Sequence, residues 1–190
     1  MGASGGATSR EAATSRRGLS RLSRAKKARA FTSDSMKLRI VALGHRLPSW
    51  VGEAYADYAR RMPRALSLEL VELKAEPRDR GKSTEQVLAA EAERIAAATR
   101  GFRVIALDER GRMWTTAELA SAVGDWRDSA LEVAFVIGSA DGLAESVKHD
   151  ANVVIALSAL TLPHGLVRVM LAEQLYRAAS LLQGHPYHRE

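Results

Sequence analysis

The sequence predicts an α/β fold: a mainly parallel sheet flanked by helices, with both sheet faces covered. Three observations carry this. Five short runs rich in Val, Ile, Leu and Ala alternate with longer segments of helical spacing, the order expected of parallel strands joined by helices. The strand runs are close to continuously apolar, as strands buried on both sides must be. Helix start and stop signals fall between the runs and not inside them.

Taken in order, Leu38–Leu43 reads as the first strand. Ser49 stands where it can cap a helix running to about Arg61, which Pro63 ends. Leu68–Leu73 is the second strand, followed by a polar loop, Lys74–Lys82. Ser83-x-x-Gln86 spells a capping box and opens an Ala-rich helix to about Thr99. Phe102–Leu107 is the third strand, closed by a turn at Asp108–Gly111. A second capping box, Thr115-x-x-Glu118, opens a helix ending near Trp126. Val133–Ile137 is the fourth strand, then comes a glycine loop, Gly138–Gly142, and a short helix to about His149. Val153–Leu157 is the last strand. Pro163 is placed as the first residue of a helix running to Gln183, with Gly184 as its stop.

The charge is unevenly spread. Residues 1–35 hold eight of the 28 Lys and Arg but two of the 22 Asp and Glu, so the whole net charge of +6 belongs to them. The remaining residues carry 20 of each sign, and a general basic-protein argument for nucleic acid does not apply to them. Residues 1–35, rich in Ser, Ala, Gly and Arg, read as a disordered basic leader. An upstream start codon or extension, a transit-like peptide and an RNA-binding arm all fit that composition. Residues 36–190 read as one domain. No cysteine is present, which excludes disulfides and thiolate metal sites. No apolar run is long enough to span a bilayer, so no membrane partner is expected. The expected location is the cytoplasm, or an organelle if the leader is a transit peptide.

Three loops fall at the carboxyl ends of strands, where open α/β sheets bind ligands. One follows Leu107, one is Gly138-Ser139-Ala140-Asp141-Gly142, and one is Leu157-Ser158-Ala159-Leu160-Thr161-Leu162. Each alone can be a plain turn; Gly138 can also let a ligand approach the backbone. Familiar nucleotide motifs fail: Gly81-Lys82-Ser83 ends like a phosphate loop, but Glu76 stands where its first glycine belongs. The five histidines show no metal-ligand spacing, and no metal is expected. Arg168 and Arg177 lie on the last helix, where solvated edges are the structural alternative. Lys74, Arg78, Arg80 and Lys82 form either a solvated loop or an RNA-contacting arm. The tail His185-Pro186-Tyr187-His188-Arg189-Glu190 gathers groups that stack on bases and pair with phosphates, or is simply frayed.

Four segments together carry a family resemblance: Met36-Lys37-Leu38, Leu157 through His164, Leu166-Val167-Arg168-Val169, and the terminal His185 to Glu190. Over Met36–Glu190 the chain resembles the RlmH family, the ribosomal large-subunit pseudouridine N3-methyltransferases of the SPOUT superfamily. The resemblance implies a C-terminal deep trefoil knot, a homodimer, S-adenosylmethionine as methyl donor, and 23S rRNA in the large subunit or whole ribosome as partner. It implies cofactor contacts at Leu107, Gly138, Leu157, Ser158, Ala159, Leu160, Thr161 and Leu162. His164, Arg168, Tyr187 and His188 are the candidates for holding the acceptor base. One departure stands out: Gly-Gly-Pro-Glu-Gly in the family is Gly138-Ser139-Ala140-Asp141-Gly142 here, and a positive φ at Ser139 would strain the loop. Two rival functions are a non-catalytic ribosome-assembly factor and a methyltransferase acting on tRNA.

Overall fold

A computed structural model describes residues 35–44, 47–78 and 81–189, without the side chains of His188 and Arg189. The expectations for the leader up to residue 34, for Arg80 and for the His188 side chain lie outside the described residues.

Five strands, β1 (Met36–Leu43), β2 (Leu66–Leu73), β3 (Arg103–Met113), β4 (Val133–Ile137) and β5 (Val153–Ala156), form one sheet in the order β2-β1-β4-β3-β5. Every pairing is parallel. Between them run α1 (Ser49–Arg61), α2 (Thr84–Ala98), α3 (Thr116–Asp128) and α4 (Glu145–Asp150), and α5 (His164–Leu182) follows β5. Successive strand residues face opposite sides. Leu38, Ile40 and Ala42 join a core with Leu119, Val123, Leu171 and Leu175 from α3 and α5. Val41 and Leu43 join a second core with Ile95 of α2. Each face is thus covered, which is why the strands could be apolar throughout.

Both capping boxes form: Ser83 and Gln86, and Thr115 and Glu118, exchange side-chain and backbone hydrogen bonds. Ser49 does not cap α1. Pro48 takes that place without a side-chain bond, its carbonyl accepting from Val51 N–H at 3.1 Å. Pro163 likewise is the residue before α5, in extended conformation, its carbonyl accepting from Val167 N–H at 3.1 Å. Proline's fixed φ and extended ψ suit the capping position at both; α1 therefore starts one residue earlier than predicted and α5 one residue later.

The largest difference from expectation is β3, which does not end at Leu107. Leu107 pairs with Ile155, and after a register shift Arg112 pairs with the same Ile155 and Met113 with Ala156. The polar residues Glu109, Arg110 and Arg112 hide this second strand segment in the sequence. Gly111 lies directly on β5: a Cβ there would sit 2.5 Å from the Ile155 carbonyl carbon. Only glycine permits backbone on backbone at that distance.

Candidate functional site

Because the sheet is parallel, β4 and β5 deliver their following loops to one edge, where residues Leu107 to Arg110 in the middle of β3 also lie. The loops enclose a cleft of about 510 Å³, within the range of small-ligand pockets. Leu107, Ile137 and Ile155 contribute apolar surface from the strands, and Leu88 closes in from α2. Of the positions singled out from sequence, Leu107, Gly138, Leu157, Ser158, Leu160, Thr161 and Leu162 line it, as does His164. Ala159 is exposed and does not.

The β5–α5 wall is held by its own side chains. Ser158 Oγ accepts from Leu160 N–H at 2.9 Å. Thr161 Oγ1 donates to Glu109 at 3.2 Å, tying this wall to the excursion in β3. Leu160 projects outward, 74% exposed. In the middle of β3, Asp108 accepts from the Arg110 N–H at 2.9 Å and pairs with Lys148 at 3.3 Å. Burial pushes the Asp108 carboxyl up, but those two donors outweigh it and hold it below its ordinary value.

The β4–α4 wall is a tight turn. Ser139 N–H donates to the Gly142 carbonyl at 3.2 Å, and Gly142 N–H donates back at 2.9 Å. Gly142 has φ +84, whereas Ser139 is not at positive φ; Ala130 is the only non-glycine residue that is among those described. The altered loop therefore closes without the strain considered above. Gly138 also has a different reason to be glycine: a Cβ would stand 2.3 Å from the Gly142 carbonyl oxygen. Its missing side chain makes room for the turn itself.

Ser139 Oγ is buried with no hydrogen-bond partner among the described residues. A buried hydroxyl left without a partner in a cleft wall suits a ligand that supplies one. Together with the apolar strand ends and the exposed loop backbone, it fits a nucleoside-sized molecule with polar ends.

The three described acceptor-holding candidates separate. His164 stands at the cleft on the first turn of α5. Burial, and then the nearby Arg168 charge, lower its pKa from 6.5, so its imidazole is neutral at physiological pH. Arg168 does not line the cleft. It is 1% exposed, pairs with Glu72, and donates to the carbonyls of Leu43 (3.1 Å) and Gly44. It is neither a solvated edge nor a group open to an acceptor, because it is buried and the ends of β1 and β2 take its two terminal nitrogens.

Tyr187 lies in a C-terminal 3-10 turn, Pro186–Arg189, docked on α5 and α1. Its ring meets Tyr176 edge-on at 4.8 Å, with Arg177 at 4.7 Å and Arg61 at 5.1 Å from the ring centre. Burial pushes its hydroxyl up to about 12, with help from Tyr58 and Glu173. Through Tyr187 the tail is docked and not frayed, folded back on the second half of α5 beside Glu173 and Tyr176, away from His164.

Sequence reasoning missed the burial of Arg168, the approach at Gly111 and the Asp108–Lys148 pair. The first had a signal: Arg168 falls at helical spacing with Leu171, Ala172 and Leu175, the apolar stripe of α5.

A family model described as Predicted SPOUT methyltransferase matches residues 36–188. Relatives named Ribosomal RNA large subunit methyltransferase H, from Nitrosospira multiformis and Burkholderia multivorans, are each 54% identical over 155 residues, covering 81% of this chain and 99% of theirs. In fold, the chain is similar to a probable methyltransferase from Bordetella pertussis, with a TM-score of 0.52 at 19% identity over 76% of this chain and 95% of the other. A match of this extent and identity settles kinship: the chain belongs to the SPOUT methyltransferase family, in the branch of the ribosomal RNA large subunit methyltransferases H.

Proposed function

We propose that this protein methylates N3 of a pseudouridine in large-subunit 23S rRNA, acting as a homodimer on assembled ribosomes. The observation that carries the reading is the cleft formed where the middle of β3 meets the ends of β4 and β5, in a chain of a methyltransferase family. Bound there, S-adenosylmethionine would supply a methyl group already activated by its sulfonium. The Ser139–Gly142 turn, Leu107 and the Leu157–Leu162 wall would hold it. The crossing of Gly111 over Ile155 is where we place the family's trefoil knot.

The protein's own contribution is mostly placement. Holding donor and acceptor in line converts a bimolecular encounter into a local one, a large part of such a rate enhancement. The acceptor N3–H must also lose a proton. His164, neutral and at the cleft, can accept that proton or a hydrogen bond from the base. Tyr187 and its neighbours can supply stacking and hydrogen bonds to the nucleotide.

Those two groups do not meet within one protomer. Tyr187 packs on Tyr176, twelve residues along α5 from His164, a span of roughly 18 Å at 1.5 Å per residue. A second copy whose α5 runs the other way would bring its tail beside the first copy's His164, which is the physical case for the dimer.

The experiment is to map methylated nucleotides by mass spectrometry in large-subunit rRNA from cells lacking the protein. One N3-methylated pseudouridine should disappear and return when the gene is restored. An unchanged rRNA map with a methyl group missing from a tRNA would refute the reading.

A further inference from the structure

The β2–α2 loop reads from sequence as either a solvated loop or an RNA-contacting arm; in the structure two of its described cations, Arg78 and Lys82, are engaged within the protein, while Lys74 is exposed. Glu76, a nearly buried carboxylate, pairs with both Lys82 and Arg94. These partners, hydrogen-bonded Lys82 foremost, hold its carboxyl below the ordinary range. The Glu76 backbone N–H donates at 3.0 Å to Glu91, which is buried on α2. Arg94 also donates to the Lys74 carbonyl at 2.8 Å. The loop is thereby pinned to α2 on the approach to Arg78, and Lys82 is pinned beyond it.

Arg78 itself reaches elsewhere. Its guanidinium lies 2.8 Å from the Asp141 carboxylate, in the Ser139–Gly142 wall of the cleft. That wall is slight: one turn closed by two backbone hydrogen bonds, leading into a six-residue helix without a side-chain cap. An ion pair from an anchored loop is a suitable brace for such a segment.

We propose that Arg78 is a positioning residue for methyl-donor binding: from the pinned β2–α2 loop it holds the Ser139–Gly142 wall in its binding shape through Asp141. This rests on the reading that the cleft takes S-adenosylmethionine. Asp141 then acts as the wall's handle, and the shorter carboxylate standing where the family carries Glu is fitted to Arg78.

The test is calorimetric titration of the full-length protein with S-adenosylmethionine, beside steady-state kinetics on large ribosomal subunits. Arg78→Gln should weaken donor binding about three- to fivefold, the scale of a partly exposed ion pair. Asp141→Asn should do the same, and the double variant should be no worse than either single one. Arg78→Lys should recover most of the affinity. KM for the donor should rise while kcat at saturating donor holds, and the unfolding midpoint should stay put. Wild-type affinity in Arg78→Gln, or additive losses in the double variant, would overturn the assignment while leaving the proposed function intact. A wild-type protein that does not bind the donor would overturn both. Loss of ribosome binding with unchanged donor affinity would make Arg78 an RNA contact instead.

Discussion

At Gly138 the missing side chain serves the protein's own backbone. Its Cβ would press on the Gly142 carbonyl carbon at 2.5 Å as well as the oxygen, and neither is the free end of a flexible group. Even Gly138→Ala must therefore open the turn. The cost is expected to be about 1–3 kcal/mol, as for other overpacked sites. The expected outcome is a lower unfolding midpoint together with weaker S-adenosylmethionine binding, both measured on one preparation. Lost binding at an unchanged midpoint would return Gly138 to direct ligand contact, the role suggested by the sequence. Its importance was legible there, but its reason depends on a carbonyl four residues on, whose direction only the folded turn fixes. Arg168 teaches the converse. A cation on an apolar stripe was visible, but its partners Glu72, Leu43 and Gly44 come from strand ends roughly a hundred residues earlier. No local pattern announces such a pairing.

Among the elements, those defined by local chemistry were legible. The two capping boxes fixed α2 and α3, and the apolar runs fixed β1 and β4. The second half of β3 was not, since Arg112 and Met113 are strand residues through pairing with β5 alone. The C-terminal turn is a similar case: its order comes from Tyr176, Arg61 and Arg177, not from its own sequence. Trimming Tyr187 to Glu190 strips an aromatic face from α1 and α5. An unfolding free energy lower by about 1–2 kcal/mol is expected from the lost ring contact and burial. Donor affinity should hold, since Tyr187 does not line the cleft of its own chain. Methyl transfer to large subunits should fall far more than stability explains. Turnover equal to that of the full chain would make the tail a structural strap only.

For the whole molecule, charge and geometry point the same way. Outside residues 1–35 the formal charges cancel, and several cations sit in internal pairs, among them Arg39 with Glu69, Lys148 with Asp108 and Arg177 with Glu173. Residues 36–190 of one protomer have little net pull on RNA, so recognition by them falls to combined surfaces, and α5 separates the two groups offered to the acceptor. If a second copy completes each site, two crippled chains should rescue each other. His164→Ala and a chain lacking Tyr187 to Glu190 should each be nearly inactive alone. Mixed and allowed to exchange subunits, half of the dimers pair unlike chains. In each of these, one site collects both defects and the other has neither. Activity should then climb to roughly a quarter of the wild-type level, the statistical share of intact sites in a twofold dimer. Activity that stays at the level of the separate variants, while exchange is verified by mass, would mean that each chain works alone and that the tail reaches its own cleft by a rearrangement.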